Sequence, residues 1–512
     1  PRKPWEQPLK AMPSGEIKNK GSADVVVIGV GLAGLCTAIS AKEAGAGKVI
    51  MIDKNRTNAS RGIHITACDS KYQKSMGVTA NYRQMIRDWV RWAQGRVKED
   101  MLWLFVRKSG ACMDWVVDMV KPKGLEVGLW DEYYKGPDYT EYPVTHIFTE
   151  TATKVRGNPP LVKALEDIAR EKGVEITFRM KAEQFVRDSK GRVTAVIAGT
   201  PGNYTQYNAS KGVVIATGDY ASNKEMCGRF APIANMADSQ IYFPNKCNTG
   251  DAHIMAMQIG GAMQKTEPHA VVIHLEAGAM SYGFLHVNGL GKRFKNEDVN
   301  TQSKSCSKLF EPGGGVAWTV YDADGLKQVQ YQVDNDLNGG LFYGQMDKLI
   351  GEKWSMSEEQ TLLNTHIEQG KVVTANTLDE LAKKMGLPVA EFKKTVEQYN
   401  KLARAGNDTD FGKRKEIMAP IVKAPFYAGK LLATVLTLSG GLRTDTSLRV
   451  LDNNDMPIEG LYVVGSAAGD FFAADYPTIA PGIGHGRCIT FGRLAGIMVA
   501  GKSIDSVPSI NV

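Results

Sequence analysis

The sequence lacks the cysteine pattern of a disulfide-stabilised, iron–sulfur or haem-carrying protein. Its 512 residues contain seven cysteines, an odd number, which lie far apart in the chain and form no Cys-x-x-Cys pair. This spacing argues against a disulfide scaffold, a zinc ribbon, an attached c-type haem and an iron–sulfur run. The eight histidines show no metal-ligand spacing either, so we predict no metal site.

Long apolar runs and a strong excess of one charge are also missing. No stretch of membrane-spanning length stands outside the first strand–helix unit, and the mean hydropathy is −0.24. The formal net charge of +7 comes from 62 basic and 55 acidic residues, and it is not concentrated in a dense basic block. We therefore expect no integral membrane segment and no nucleic-acid partner.

The remaining composition is that of a globular protein with more than one domain. It is 43% hydrophobic and 23% charged, a balance that excludes disordered and fibrous chains. A single core stops growing at roughly 250–300 residues, so the length predicts two or three domains. Residues 1–22 are polar, with prolines at positions 1, 4, 8 and 13, and predict an arm that lies over a domain.

The first sharp pattern is a strand followed by a glycine-rich turn and a helix. The β-branched run 23–28 is typical of a buried parallel strand. Gly29-Val30-Gly31-Leu32-Ala33-Gly34 follows it at once, and residues 35–44 have a helix-compatible composition. A second strand, 48–52, then ends in Asp53. Three spaced glycines alone are weak evidence, so the strand–helix–strand context carries the prediction.

Each part of this pattern has a physical task in binding a dinucleotide. Gly29 permits the tight turn, Gly31 lets the backbone approach a pyrophosphate, and Gly34 lets helix and strand pack closely. The helix N-terminus offers free N–H groups to the phosphates. Asp53 is placed to accept hydrogen bonds from ribose hydroxyls. The alternative is a glycine-rich turn without a ligand, and the context favours the dinucleotide site.

Later segments indicate a sheet assembled from distant parts of the chain. The runs 182–187 and 192–197, separated by a turn, predict an antiparallel flap. Two further strands end in Ala216-Thr217-Gly218 and in Gly465, and the glycine-rich stretch 481–486 opens a last helix. We therefore predict the α/β fold class, with one discontinuous sheet and a domain inserted into it.

Taken together, these motifs resemble the fumarate reductase/succinate dehydrogenase flavoprotein superfamily. Members of this superfamily share the FAD-binding domain known as type 2. They include flavocytochrome c fumarate reductases, urocanate reductases and 3-ketosteroid dehydrogenases. The further segments that carry the resemblance are Ala216-Thr217-Gly218, Asn248-Thr249-Gly250-Asp251, 291–297, 396–400, 406–412, 425–428, Gly440-Gly441 and 490–496. The resemblance implies a Rossmann-like FAD-binding domain in two parts, 23–269 and 437–512. An α+β capping domain, 270–436, lies between them, and the redox cleft is expected where the two domains meet.

The resemblance also implies FAD as the cofactor, bound without a covalent link, because the segment 54–62 offers no histidine. The helix that starts near Gly482 is similar to the family helix whose N-terminus faces the flavin pyrimidine. Its dipole would stabilise negative charge on the reduced ring. The predicted cofactor-binding residues are Gly29, Gly31, Leu32, Ala33, Gly34, Asp53, Lys54, Asn55, Ser60, Arg61, Gly62, Phe185, Ala216, Thr217, Gly218, Asn248, Asp251, Gly465, Ser466, Gly482 and Ile483.

Departures from the family pattern argue against a dicarboxylate substrate. The family's proton-donating arginine falls at Thr301, and no arginine lies between positions 294 and 311. The family's His-His-Thr-Met-Gly-Gly is replaced by the sequence of 436–441, and its substrate-gripping arginine falls near Ile479. Because a dicarboxylate needs cationic donors at both ends, fumarate and succinate are not the expected substrates.

The stretch 476–484 is more similar to the ketosteroid dehydrogenase branch. On that match, the phenol of Tyr476 would donate a hydrogen bond to a substrate carbonyl and polarise an enone. A residue that packs under the flavin is the alternative reading of Tyr476. The other candidate catalytic residues are Asp475, which is more often a turn acid, and Arg293 of the Gly-Lys-Arg-Phe motif. The remaining tyrosines considered for the branch are Tyr282, Tyr321 and Tyr343.

These features predict an FAD-dependent oxidoreductase that adds or removes hydrogen across a C=C bond beside a carbonyl or ring. A reductase of a non-dicarboxylate unsaturated substrate, fed by an external electron carrier, is the first expectation. The alternatives are a 3-ketosteroid-type dehydrogenase and an electron-transfer flavoprotein subunit. The resemblance to exported reductases of anaerobic bacteria makes export one expectation, and a cytoplasmic location is the other.

Overall fold

The computed structural model describes residues 2–131, 133–136, 139–276, 282–337 and 347–512. The helices are α1 (Leu32–Glu43), α2 (Lys71–Ser75), α3 (Tyr82–Trp92), α4 (Glu99–Val120), α5 (Asn158–Glu171), α6 (Lys224–Phe230), α7 (Asp251–Gln258), α8 (Thr301–Lys308), α9 (Pro312–Gly315), α10 (Gly325–Asp334), α11 (Met356–Glu368), α12 (Leu378–Met385), α13 (Val389–Ala405) and α14 (Ile483–Val499).

The strands alternate with these helices through most of the chain. They are β1 (Ile17–Ile28), β2 (Val49–Ile52), β3 (Ile65–Thr66), β4 (Leu125–Leu129), β5 (Lys135–Gly136), β6 (Tyr139–Thr140), β7 (Thr145–Glu150), β8 (Glu175–Thr177), β9 (Ala182–Arg187), β10 (Val193–Thr200), β11 (Asn203–Ile215), β12 (Ser239–Gln240), β13 (Val271–Glu276), β14 (Leu285–Asn288), β15 (Ala317–Tyr321), β16 (Val372–Ala375), β17 (Phe426–Lys430), β18 (Leu432–Leu438), β19 (Arg449–Leu451) and β20 (Pro457–Val463). The structure therefore contains both helices and sheets, as the predicted α/β fold class requires.

The largest sheet takes strands from both ends of the chain, in the order β19-β20-β11-β1-β2-β8. Strands β2, β1, β11 and β20 run parallel, and the apolar residues 25–28 at the end of β1 are almost completely buried. Both faces of a central parallel strand are covered, which accounts for its continuous β-branched run. Because parallel strands end at one edge, the turns after β1, β2, β11 and β20 meet there.

Strand β1 is longer than its apolar run. It begins at Ile17, within the segment predicted as an arm, and its polar first half pairs with β11 from Tyr204 onwards. The predicted antiparallel flap is confirmed, since β9, β10 and β11 form an antiparallel meander on the sheet. The polar residues Lys18 to Lys20 form a strand because β11 extends far enough to pair with them.

The first and last helices pack against each other beside this sheet. A Cβ at Gly492 or Gly496 of α14 would press on the backbone of α1, at Ala33 and Thr37. Glycine at these positions therefore lets the two helices approach closely. The contact brings the N-terminus of α14 towards the edge where the parallel strands end.

The middle of the chain forms separate sheets, one antiparallel and one mixed. Strands β14, β15, β17 and β16 form one sheet, and α12 and α13 pack on it around Phe392 and Tyr399. A smaller sheet joins β12, β18 and β13. None of the helices in the described ranges is both long and apolar enough to cross a membrane.

Candidate active site

A long cleft lies at the edge where the parallel strands of the large sheet end. The turn after β1 forms its floor, and the ends of β2, β11 and β20 form its sides. The predicted cofactor residues that line this cleft are Gly29, Gly31, Leu32, Ala33, Asp53, Lys54, Asn55, Ser60, Arg61, Ala216, Thr217, Gly218, Asn248, Asp251, Gly465 and Ser466.

The glycine-rich turn brings backbone, rather than side chains, to the cleft. Gly29 has φ +110°, a conformation that L side chains rarely adopt. A Cβ there would collide with the carbonyl oxygen of Ala216, and a Cβ at Gly34 would collide with the carbonyl oxygen of Gly29. Helix α1 begins at Leu32 with Gly31 at its N-cap and no side chain capping it. Its free N–H groups therefore remain available to an anion.

Asp53 supports the turn from the end of β2. Its Oδ2 accepts the N–H of Val30 at 2.8 Å and its Oδ1 accepts the N–H of Asn55 at 2.8 Å. Burial raises the pKa of Asp53, and these two hydrogen bonds act against the rise. A carboxylate oxygen can accept more than one hydrogen bond, so Asp53 can hold the turn and also receive ribose hydroxyls.

Lys54 links the second strand to the start of α7. Its Nζ lies 2.6 Å from Oδ2 of Asp251 and 2.5 Å from Oγ1 of Thr249. Burial alone would raise the pKa of Asp251, but the charge and hydrogen bond of Lys54 bring that pKa below its usual value. The pair holds one wall of the cleft in place.

Two buried polar atoms in the cleft have no partner among the described residues. They are Oγ1 of Thr217 and Oδ1 of Asn158, and both residues line the cleft. An unpaired buried polar atom costs about 1–3 kcal/mol, so both point to a bound polar ligand. With the free N–H groups of α1, this donor and acceptor set fits the phosphates, ribose and ring of FAD.

Tyr242 and Asp219 line the cleft but were not predicted from the sequence. The Tyr242 hydroxyl donates to Oδ2 of Asp219 at 2.7 Å. The same carboxylate accepts the N–H of Leu438 at 2.9 Å and the amide of Asn248. Asp219 directly follows Ala-Thr-Gly, which could have indicated it, whereas no sequence signal marks Tyr242.

Arg61 supplies the one guanidinium among the described residues that line the cleft. It donates to the carbonyl oxygens of Leu436 and, at 3.2 Å, Ile241. Its guanidinium carbon lies 4.1 Å from the centre of the Tyr242 ring. Arg61 therefore joins the segment after β2 to residues far along the chain.

The start of α14 packs against the segment that precedes β3. Gly482 is the N-cap with φ +89°, and a Cβ there would collide with the backbone of His64. A Cβ at Gly62 would come within 2.5 Å of Cε1 of His485. The ring of His485 lines the cleft, and its Nδ1 lies 2.9 Å from the carbonyl oxygen of His64. Burial lowers the pKa of His485 to about 4, so the ring is neutral at pH 7.

Some predicted cofactor residues do not line the cleft. Gly34, Gly62 and Gly482 lie one layer behind it as close-packing glycines. Ile483 is completely buried, and Phe185 of β9 is 1% exposed in the apolar core on one face of the sheet. Their role as cofactor-binding residues stays a prediction.

Tyr476, a predicted catalytic residue, lies next to the start of α14. The N–H of Gly484 donates to its hydroxyl oxygen at 2.8 Å. Its ring stacks on that of Phe472, with centroids 4.5 Å apart. Burial raises the pKa of Tyr476, while the Gly484 N–H and the charge of Arg487 act against the rise. Asp475 is exposed.

Arg293, the other predicted catalytic residue, forms an internal ion-pair network. Its guanidinium makes two hydrogen bonds with Glu297, both 2.9 Å, and two with Asp408, at 2.9 and 2.8 Å. The side chain is 5% exposed and does not line the cleft. These bonds give Arg293 a structural task. Of the tyrosines considered, Tyr282 and Tyr321 are buried in an aromatic cluster, and Tyr343 lies outside the described residues.

The fold and the cleft define a dinucleotide-binding protein whose ligand is held by a glycine-rich turn and a helix N-terminus. Residues 24–483 match the family of the FAD binding domain. The chain belongs to this family and is an FAD-dependent oxidoreductase. The predicted resemblance to the flavoprotein superfamily is confirmed.

Similar proteins align over most of the chain. The chain is 26% identical over 520 residues to a probable fumarate reductase of Shewanella frigidimarina, covering 98% of this chain and 78% of that protein. It is 26% identical over 507 residues to a vinyl phenol reductase of Lactiplantibacillus plantarum, covering 93% and 96%. It is 30% identical over 387 residues to a 3-oxosteroid 1-dehydrogenase of Mycolicibacterium smegmatis, covering 68% and 63%.

Solved structures share the fold. A 3-ketosteroid-Δ4-(5α)-dehydrogenase from Rhodococcus jostii aligns with a TM-score of 0.71 at 25% identity, covering 97% of this chain and all of that one. A flavocytochrome c3 fumarate reductase in its open conformation also aligns with a TM-score of 0.71, at 24% identity, over 94% of this chain and 79% of that one.

Proposed function

We propose that this protein reduces a carbon–carbon double bond conjugated to a carbonyl group or ring, in a substrate that is not a dicarboxylate. Electrons reach it from an external carrier. The observation that carries the proposal is the position of Tyr476, whose phenol oxygen accepts the N–H of Gly484 at the start of α14. Its proton has no acceptor among the described residues and is available to a substrate oxygen.

FAD, once bound and reduced by the external carrier, would supply a hydride to the substrate β-carbon. The task of this chain is to hold the carbonyl end of the substrate and to provide the proton. Tyr476 donates a hydrogen bond to the carbonyl oxygen, which makes the β-carbon electrophilic. As negative charge develops on that oxygen, Tyr476 gives it the proton, and the resulting enol becomes the saturated ketone. Solvent then reprotonates the phenolate.

The charges around the cleft support a substrate without two carboxylates. The guanidinium of Arg61 already donates to the backbone carbonyls of Leu436 and Ile241, and Ile479 is buried and apolar. The apolar pair Phe471 and Phe472 lies beside Tyr476. Near Tyr476, Arg487 is the one arginine among the described residues with unpartnered nitrogens, and it packs on Phe472. A dicarboxylate needs a cation at each end, whereas a neutral aromatic or enone needs an apolar wall and one donor.

An anaerobic stopped-flow screen tests the proposal. Reduced holoenzyme is mixed under argon with a cyclic enone, 4-vinylphenol, a 3-ketosteroid enone, a cinnamate and fumarate, and the flavin absorbance is followed. We expect fast reoxidation by a neutral conjugated compound and none by fumarate. Fast reoxidation by fumarate alone would overturn the proposal, and reoxidation by none of the five would favour an electron-transfer subunit.

A second candidate, oxidation of a 3-ketosteroid, is supported by the resemblance of 476–484 to that branch. The 3-oxosteroid 1-dehydrogenase relative and the 3-ketosteroid dehydrogenase structure also favour it. In this direction Tyr476 would acidify the α-carbon by the same hydrogen bond. Two results would favour this candidate. A saturated 3-ketosteroid would bleach the flavin absorbance of the oxidised holoenzyme, and an artificial electron acceptor would sustain turnover.

Two details of the proposal concern the cofactor and its reductant. The FAD is held without a covalent bond, so acid precipitation should release all of the flavin into solution. The sequence contains one strand–glycine turn–helix unit of this kind and no haem motif, which supports an external electron carrier. Rapid bleaching of bound FAD by NADH would contradict that part of the proposal.

A further inference from the structure

Arg487, on the first turns of α14, is a buried cation that forms no ion pair with a carboxylate of the described residues. The residue is 0% exposed, and its side chain makes one hydrogen bond, from Nη1 to the carbonyl oxygen of Ala468 at 3.1 Å. Its Nε and Nη2 have no partner among the described residues. An uncompensated interior charge is costly, so its presence beside the candidate active site calls for a chemical reason.

The surroundings of Arg487 connect it to Tyr476. Its guanidinium carbon lies 4.8 Å from the ring centre of Phe472 and 5.5 Å from that of Phe471. Tyr476 stacks on the same Phe472 ring at 4.5 Å, with an interplanar angle of 24°. Three positions back from Arg487 along α14 is Gly484, whose N–H holds the Tyr476 oxygen. Phe472 therefore contacts both the guanidinium and the phenol.

Among the described residues, the groups that act electrostatically on this pair are Cys488, Asp219 and the N–H of Gly484. Burial and Cys488 favour the neutral phenol of Tyr476, while Gly484 N–H and Arg487 favour its anion. Burial lowers the pKa of Arg487 to about 10, and the groups that raise it are Cys488, Tyr476 and Asp219. At pH 7 Arg487 is therefore a fixed positive charge in an apolar surrounding, where little water screens it.

We propose that Arg487 is a positioning residue that makes Tyr476 a competent proton donor, because its charge stabilises the phenolate left behind when the proton moves to the substrate oxygen. The inference rests on the proposed function. Buried phenols are weak acids, and a weak acid donates slowly. The guanidinium and the N–H of Gly484 together offset that weakness without touching the substrate.

The matched variants are Arg487→Met, which removes the charge but keeps an apolar chain, and Arg487→Lys, which keeps the charge. Arg493→Met is the control, since Arg493 lies on the same helix but bonds the carbonyl oxygen of Ala111 and faces Trp115. In FAD-loaded enzyme we expect kcat for a reactive enone to fall about tenfold to a hundredfold in Arg487→Met, with KM changed by less than about threefold. Arg487→Lys should recover most of the rate, and Arg493→Met should match the wild type.

A chemical rescue separates this role from simple packing. A fluorinated tyrosine at position 476 is more acidic than tyrosine, so it needs less help from a neighbouring cation. We expect 3,5-difluorotyrosine at 476 to restore about tenfold or more of the lost rate in Arg487→Met and to change the wild-type rate little. Failure of this rescue would overturn the inference. So would a shift of the flavin midpoint potential in Arg487→Met that is large enough to explain the lower rate of that variant.

The outcomes also separate this inference from the proposed function. If Tyr476→Phe keeps the wild-type rate, the proposed role of Tyr476 fails and the inference fails with it. If Tyr476→Phe is slow but Arg487→Met behaves like Arg493→Met, the inference alone fails. Flavin content and the unfolding midpoint, measured on every variant, ensure that only loaded and folded enzyme is compared.

Discussion

The glycine-rich turn of the cofactor cleft and the sheet of β14, β15, β17 and β16 are held together by different kinds of contact. In the cleft, backbone groups meet closely, and Gly29 and Gly34 leave no room for a Cβ. In the region 285–430, charged side chains pair in the interior, with Arg293 bonded to Glu297 and Asp408. One added methyl group should therefore disrupt the first region, and one deleted charge should disrupt the second.

The largest effect is expected from Gly34→Ala, which tests the backbone-built region. The new Cβ would collide with the carbonyl oxygen of Gly29, so the turn cannot keep its shape around the pyrophosphate. We expect the purified variant to contain almost no FAD, measured by flavin absorbance per protein. Gly15→Ala is the control, because its Cβ would meet nothing within 4 Å. A Gly34→Ala protein with one FAD per chain would contradict this account.

The next effect concerns the side-chain-built region. Arg293→Met removes the guanidinium from two carboxylates, Glu297 and Asp408, whose side chains are 0% exposed. Among the described residues Glu297 then keeps the ion pair with Lys413, whose Nζ lies 3.3 Å from its Oε2, and Asp408 keeps backbone N–H donors alone. We expect the free energy of unfolding to fall by about 3–5 kcal/mol, measured by urea denaturation. Arg404→Met, on the exposed face of α13, should change it by less than about 0.5 kcal/mol. Similar values for the two variants would show that the network is not stabilising.

A smaller effect is expected in acid. Burial alone would raise the pKa of Asp408, but its bonds with Arg293 and backbone N–H groups bring it down to about 2. The unfolded value is about 3.9, so this carboxylate stabilises the fold above about pH 4 and loses that contribution as pH falls towards 2. Urea midpoints from pH 6 to pH 3 should fall more steeply for the wild type than for Asp408→Asn. Parallel curves would refute this assignment.

The smallest effect on stability is expected from Arg487→Met. Replacing a buried charge that lacks a carboxylate partner with an apolar chain is often neutral or stabilising. We expect the free energy of unfolding to change by less than about 1 kcal/mol, or to rise, in the same urea experiment. A loss as large as that of Arg293→Met would mean that Arg487 is a structural residue, and the contrast between the two regions would disappear.

The difference between the regions also explains which residues could be predicted from the sequence. A backbone-built site leaves its glycines at fixed spacing beside strands, so the residues of the turn, Asp53 and the strand ends could be predicted from the pattern. With those that the family resemblance added, they make up about half of the residues that line the cleft. Arg293 and Asp408 meet across more than one hundred residues, and nothing in the motif around Arg293 marks that pairing. Tyr242 likewise reaches the cleft through Asp219 and Arg61, contacts that only the folded chain brings about.

Two further differences have local physical causes. Ile17 begins β1 although residues 18–22 are polar, because β11 extends far enough to pair with them. Phe185 was predicted to touch the cofactor, but it alternates into the apolar face of its strand and packs in the core. The alternation of a strand predicts which side chains share a buried face. What that face packs against follows only from the folded chain.

The most direct test of the account is the single-turnover rate of Tyr476→Phe. Reduced, FAD-loaded enzyme is mixed under argon with the conjugated compound that reoxidises the wild type fastest. We predict that flavin reoxidation slows by about 10²–10⁴-fold, while the substrate concentration for half-maximal rate changes little. Reoxidation at the wild-type rate would contradict the assignment of Tyr476 as the group that polarises and protonates the substrate.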